Sequence, residues 1–323
     1  MNDEPIVQTH ELTKRYGDFL ALNKLTLELH RGQILGFIGP NGAGKTTTIK
    51  ILVGLNRPTA GWARICGVDC THDARRIKHL VGYMPDVFGA YDQMRVEEYL
   101  DFFGAAFKIA RAERRKRIDA VLEATGAAYM RDYYLESLSH GMKQRVAIAR
   151  TLMHDPQVLI LDEPANGLDP IARIEMRELI LKLSAAGKTI IVTSHILPEL
   201  ARICTVVAMM TGGVLRAFGT VEQIMQSLRQ QRIMEIHALR PEDLPAVATL
   251  VHHHFGTSDN LTVSEAERIV RFHTTRDDAD LSALLRALHN AGLAITQFRE
   301  EPQDLEDAFI TVAQQPAAAG SNP

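Results

Sequence analysis

The run from Ile34 to Thr47, ILGFIGPNGAGKTT, limits what this chain can fold into more than any other stretch. Ile34 to Ile38 is a short apolar segment bounded by glycine. A strand covered on both faces reads that way, so a buried parallel strand is expected. Gly39 to Thr46 fits the pattern GxxxxGK[ST], and TTTIKILVGL continues with a helical pattern. Strand, glycine loop and helix in that order make a phosphate-binding unit. Gly39, Pro40, Asn41, Gly42, Ala43 and Gly44 form a cradle whose backbone N–H groups point at one anion. The helix N-terminus adds partial positive charge. Lys45 is placed to bridge β- and γ-phosphates, the Thr46 hydroxyl to ligate magnesium, and Thr47 to reach the α-phosphate.

A second piece is Val158-Leu159-Ile160-Leu161-Asp162-Glu163. An apolar strand delivers two carboxylates at its carboxyl end, where ligands collect in open α/β sheets. Asp162 suits a magnesium shell. Glu163 suits the general base that polarises an attacking water. By itself the pair reads equally as a solvated acidic turn; beside the phosphate loop it reads as chemistry.

The bulk numbers set limits. A chain of 323 residues has room for one large and one smaller domain. A net charge of −3 offers no global basic field, so no nucleic acid partner is expected. Cys66, Cys70 and Cys204 lack disulfide-framework or zinc spacing and read as reduced thiols. No stretch reaches the roughly 18 apolar residues needed to span a bilayer. The start, MNDEPIVQTHEL, has no basic segment before an apolar core, so no signal peptide is expected. Membrane work would then pass through a partner.

Along the chain, IVQTHEL and LALNKLTLEL alternate as strands. Residues Met94 to Met153 are helical in pattern, with the charges of RAERRKRIDAVLEATG on a solvated face. Strands are expected at Val158–Leu161 and Thr189–Thr193, with the helix ARIEMRELILKLSAAG between them. VVAMMTGGVLRAFG reads as a hairpin turned at Gly212-Gly213. From about Thr220 the texture changes. A helix near Val221 to Gln230 precedes the order strand, helix, strand, strand, helix, strand, which is ferredoxin-like. The expected fold is α/β over residues 1–220, with a helical subdomain at about 87–153. A small α+β domain over 221–313 and a disordered tail over 314–323 follow. The run His252-His253-His254 sits at an expected helix end without a second ligand cluster, so a solvated helix end is the better reading than metal.

With these pieces in order, the sequence resembles the ATP-binding cassette (ABC) family, the ATPase subunits of ABC transporters. Leu138-Ser139-His140-Gly141-Met142-Lys143-Gln144-Arg145 resembles its signature motif, with His140 where glycine is common and Met142 where glutamine is common. Ser139 and Gly141 open a helix whose N-terminus can face an anion. Asn166-Gly167-Leu168-Asp169 resembles the D-loop, and His195 after TIIVTS the switch histidine. Tyr16 in KRYGD resembles the aromatic that stacks on adenine. Asp86, after GYMP, stands where the family's Q-loop has glutamine, and puts a shorter, negative group beside the γ-phosphate.

The resemblance implies ATP and Mg2+ as ligands. It implies catalytic roles for Glu163, His195 and Lys45 and metal contacts from Thr46, Asp162 and Asp86. Two copies, identical or not, would close head to tail so that Ser139, Gly141, Met142 and Asp169 complete the partner's nucleotide site. The LSxGMKQR form, the acidic Q-loop at Asp86, the extra C-terminal domain and the ending Asp304 to Ile310 are similar to ATPases of ABC-2-type exporters. A transmembrane permease of that type would be the partner, touched by the Asp86 to Tyr99 face, with the ATPase peripheral on the cytoplasmic side of the membrane. Two alternatives stand beside this reading. One is a non-transport ABC ATPase acting on translation or DNA, a class that commonly carries two cassettes or coiled-coil insertions not seen in this sequence. The other is a nucleotide-gated regulator without turnover, against which Glu163 and His195 argue.

Overall fold

The computed structural model describes residues 4–87, 89, 93–194, 200–224, 232–256 and 261–301. The chain divides at Val221/Glu222 into two compact units.

The first unit is built on two sheets. One is antiparallel, in the order β2-β1-β4-β5, from β1 (Val7–Tyr16), β2 (Phe19–Leu29), β4 (Ala60–Ile65) and β5 (Val68–Asp69). Alternation drives β2: Leu25, Leu27 and Leu29 are buried while Thr26 and Glu28 are exposed. β1 and β2 join through Gly17-Asp18, which leaves Tyr16 paired with Phe19 across the hairpin. β4 and β5 were not legible as strands. They are short, and Gly61 and Gly67, both at positive φ, break the pattern around them.

The other sheet runs β10-β9-β3-β8-β7-β6. Its strands are β3 (Ile34–Ile38), β6 (Val81–Met84), β7 (Val158–Asp162), β8 (Thr189–Thr193), β9 (Val206–Thr211) and β10 (Val214–Thr220). β3 lies parallel to β8 and β9, and β7 lies parallel to β6 and β8. Every residue of β3, β7 and β8 is buried, as continuous apolar runs in a covered parallel sheet should be. Parallel strands end on the same edge, so the residues after Ile38, Leu161 and Val192 emerge together. One core joins both sheets, with Leu12, Leu22 and Leu25 packed into the cluster that holds Phe37, Ile49 and Ile160.

Helix α1 (Lys45–Leu52) follows the glycine loop, and α2 (Ala74–Leu80) is capped by Asp73, whose side chain accepts from the Arg76 N–H. The helical stretch contains α3 (Val96–Ala106), α4 (Arg111–Ala124) and α5 (His140–Leu152). α4 buries Ile118, Val121 and Leu122 and leaves most of its charges in water. Helix α6 (Pro170–Ala185) connects β7 to β8. It starts two residues before the sequence pattern suggests, because Asp169 caps it and Pro170 fits its first turn.

The second unit contains β11 (Arg232–Ala238), α7 (Leu244–Phe255), β12 (Leu261–Ser264), β13 (Ile269–Thr274), α8 (Asp278–Asn290) and β14 (Ile295–Glu300). Its antiparallel sheet has the order β12-β13-β11-β14, the ferredoxin-like arrangement. Met234, Ile236, Val270 and Phe272 pack against Val247, Val251, Leu284 and Leu288 of the two helices. His252, His253 and His254 are exposed on the last turn of α7, and no group of three or more His, Cys, Asp or Glu among the described residues could hold a metal ion. Residues 221–224 are helical; the rest of the helix expected to Gln230, the Asp304 to Ile310 ending and the 314–323 tail lie outside the described residues. Among the described residues no helix is long and apolar enough to cross a membrane.

The face of this sheet away from the helices carries a buried carboxylate. Glu235 pairs across the sheet with Arg271 and Arg299, which donate to it at 2.6 and 2.8 Å. Burial alone would raise its pKa, but the hydrogen bonds from Arg299, Arg271 and His237 outweigh it and hold the group at about 2. A depressed folded-state pKa stabilises above the unfolded value and loses that contribution as pH falls through the folded one. Glu235→Gln is therefore expected to lower stability at pH 7 by about 2 kcal/mol. The gap between variant and wild type should narrow between pH 4.5 and pH 2 in denaturation of the full chain; a gap independent of pH would contradict this.

Candidate functional site

The loop after β3 curls because glycine stands where no side chain fits. Gly44 has φ 104°, and a Cβ there would lie 2.7 Å from Leu22 Cδ2. At Gly39 a Cβ would collide with the Met210 carbonyl oxygen of β9. The loop is tied down at both ends, Ala43 N–H donating to Pro40 O and Gly213 N–H to Ala43 O, each at 3.1 Å. Lys45 opens α1 and is buried. Its Nζ donates back to the carbonyls of Gly39 and, at 3.2 Å, Pro40. Burial lowers its pKa, and the charges of Glu163 and Asp162 push it back up. Thr46 is exposed and Thr47 half-buried on the first turn of α1.

Asp162 ends β7, 8% exposed. Thr193 at the end of β8 donates to its Oδ1 at 2.6 Å and accepts the Glu163 N–H at 2.9 Å. One hydroxyl thus holds both acidic residues in register. Burial raises the Asp162 pKa; the Thr193 hydrogen bond lowers it, Glu163 and Asp86 raise it, and Lys45 lowers it. Glu163 has φ 52°, a left-handed conformation uncommon for a residue with a side chain. The strand does not simply run on past Asp162; it turns sharply there.

These groups share one cleft of about 270 Å³. It is lined by Tyr16, Pro40 to Thr47, Asp86, Asp162 and Glu163, together with Phe19 and Ala21. Phe19 was not singled out from the sequence, although it pairs with Tyr16 and is 63% exposed. Thr193 was also missed; its signal is a hydroxyl at the end of an otherwise apolar strand facing the one that carries the carboxylates. Tyr16 accepts from Asn56 Nδ2 at 2.8 Å, which steadies its ring beside the cleft.

The remaining expected site residues lie elsewhere. Ser139 caps α5, its hydroxyl accepting from Met142 N–H at 3.3 Å. Gly141 faces Leu168 and Ala172. Asp169 Oδ1 accepts from Ile171 and Ala172 N–H, both at 3.0 Å, and so caps α6. None of Ser139, Gly141, Met142 and Asp169 lines the cleft. His195 lies outside the described residues.

In chemical terms the cleft offers a helix N-terminus and an ammonium for an anion, and hydroxyl and carboxylate oxygens for a hard cation. Comparison with known proteins points the same way. Residues 22–166 match the family described as ABC transporter, and residues 219–313 match one described as ATP-binding protein DrrA1-3-like, C-terminal domain. The chain is 34% identical over 307 residues to Nod factor export ATP-binding protein I of Ralstonia nicotianae, covering 95% of this chain and 93% of that one. It is 36% identical over 221 residues to the probable multidrug ABC transporter ATP-binding protein YbhF of Escherichia coli, covering 68% of this chain and 38% of that one. Among solved structures, cbiO1 from Clostridium perfringens, part of the ABC transporter complex cbiONQ, matches with TM-score 0.65 and 28% identity, over 69% of this chain and 91% of that one. A bacterial ABC transporter cassette solved as a dimer matches with TM-score 0.60 and 26% identity, over 66% of this chain and 98% of that one.

Thr193→Val keeps the side-chain shape and removes the hydroxyl. It is expected to leave the fold intact and slow ATP hydrolysis on the order of 10-fold. A steady-state rate equal to wild type would show that the Thr193 bridge does not matter.

Proposed function

We propose, from the premise that this chain belongs to the ATP-binding proteins of ABC transporters, that ATP binds in the Gly39–Thr47 cleft and is hydrolysed there to drive a transmembrane permease of the ABC-2 type. The chain is an ATPase subunit that energises a transporter. The convergence of Lys45, Asp162 and Glu163 on one cleft with Tyr16 carries the placement of the nucleotide.

In this reading the loop N–H groups and Lys45 bind the β- and γ-phosphates, and Tyr16 stacks on the base. Lys45 already rests on the loop carbonyls, so a phosphate oxygen exchanges one set of acceptors for another with little movement. Thr46 and Asp162 would hold Mg2+, with Asp86 in reach of the same cleft; their hard oxygen donors and the crowded negative charge fit such an ion. When bound, the ion neutralises charge developing on the phosphoryl oxygens. Glu163 takes the proton of the attacking water, and its φ of 52° aims it off the strand for that task. His195 is assigned the γ-phosphate contact on the sequence resemblance.

Ser139, Gly141, Met142 and Asp169 lie away from their own cleft, which supports a role in completing the cleft of a second subunit, identical or not. The first turn of α5, with Ser139 and His140 exposed, suits a phosphate. A separate cavity of about 510 Å³ is lined by Val53, Leu55, Phe103 and Phe107 with Lys78 and Arg150. It also includes Pro85, which precedes the Asp86 to Tyr99 face assigned to the permease on the sequence resemblance. Export is the direction named for Nod factor export ATP-binding protein I and is carried over to this chain with the ABC-2 assignment. The subunit would then sit on the cytoplasmic face of the membrane through its permease. Residues 1–220 would form the ATPase domain, with its helical subdomain at about 87–153, and 221–313 an accessory domain that supports dimerisation or regulates it. A soluble machine in translation or DNA is not favoured, since the similar proteins are transporter subunits.

Glu163→Gln removes the base and keeps the shape. It is expected to cut turnover by at least about 100-fold and to trap an ATP-bound dimer visible by size exclusion. Normal turnover in this variant would overturn the assignment of the base.

A further inference from the structure

Asn166 meets three elements that are far apart in sequence. Its backbone N–H donates to the Glu163 carbonyl at 3.1 Å. Its carbonyl lies 2.8 Å from His140 Nε2, on the first residue of α5. Its side-chain Nδ2 donates to Asp86 Oδ1 at 3.4 Å. His140, one of the two signature residues that depart from the family pattern, and Asp86, at the Q-loop position, are therefore joined through one asparagine.

The fit around His140 is specific. The ring lies against Gly167, where a Cβ would come within 3.4 Å of Nε2. Because a carbonyl only accepts, Nε2 must carry a hydrogen. Gln144, one turn along α5, places its amide nitrogen 3.4 Å from the same Nε2 and leaves its buried Oε1 without a partner. A half-turn of that amide exchanges oxygen for nitrogen and lets Oε1 accept from the same N–H. Arg145 carries the connection onward, donating to Glu175 of α6 at 2.7 Å and to the Thr125 carbonyl just past α4 at 2.9 Å.

We propose that Asn166 is a positioning residue that locks Asp86, the Glu163 turn and the His140 end of α5 into one group. A change at Asp86 in one subunit then alters the pose of that subunit's own Ser139–Gly141 turn. This rests on the cleft being the ATP site. The group works within one chain: it links the cleft a subunit owns to the surface it would offer to another.

The test is steady-state ATPase kinetics of the purified full chain. His140→Phe keeps a planar ring and loses the donor; His140→Gln keeps a side-chain N–H donor. His140→Phe and Asn166→Ala are each expected to lower kcat about 10-fold while KM for ATP changes less than about 2-fold. His140→Gln should keep kcat within about 3-fold of wild type. Asp86→Ala and His140→Phe combined should cost no more than the larger single effect, as for residues acting as a unit. Should His140→Phe fail to fold, His140→Gly carries the same comparison. A kcat for the donor-less variants equal to wild type, or single effects that multiply in the double variant, would overturn the proposal. A wild-type chain that does not hydrolyse Mg-ATP would instead overturn the reading of the cleft.

Discussion

Lys45 is buried, held over the carbonyls of Gly39 and Pro40 and within the field of Asp162 and Glu163. An ammonium out of water needs such surroundings to keep its charge. The surroundings come from three strands. β3 supplies the loop, β7 the carboxylates and β8 the Thr193 hydroxyl that sets their register. They meet because the strands are parallel neighbours and end on one edge. Unsettle the glycines that curl the loop, or the sheet behind it, and a lone cation or a lone carboxylate pair is left partly buried. The charge balance of the cleft and the architecture of the sheet therefore depend on each other.

Much of this was legible in the sequence because it is local. A five-residue apolar run, a glycine loop and an acidic strand end each declare themselves within a few positions. The ferredoxin-like unit was legible for the same reason, its strands and helices being periodic and well punctuated. What escaped notice needs contacts across the chain. Thr193 looks like one more β-branched strand residue until β8 is laid beside β7. Phe19 looks like a stray exposed aromatic until the hairpin pairs it with Tyr16. Asp169, read as a nucleotide contact, has a visible local task in capping α6, a signal available from the Asp-Pro pair that opens the helix. The Asn166 junction spans Asp86 and His140, and no window of sequence holds both.

The second unit obeys the same logic with other chemistry. One face of its sheet is an apolar core shared with two helices, and the other carries Glu235 between two arginines directly across the strands. Alternation places a polar residue at 235, but its burial follows only when Arg271 and Arg299 fold over it. Ionic pairing thus orders this face of the sheet.

The measurement closest to the centre is the affinity of the full chain for Mg-ATP, by titration calorimetry, with and without Lys45→Ala. The arrangement around the loop predicts binding weakened by at least about 10-fold and hydrolysis lost, with the fold retained. Unaltered binding and hydrolysis in the variant would contradict the placement of ATP in the Gly39–Thr47 cleft.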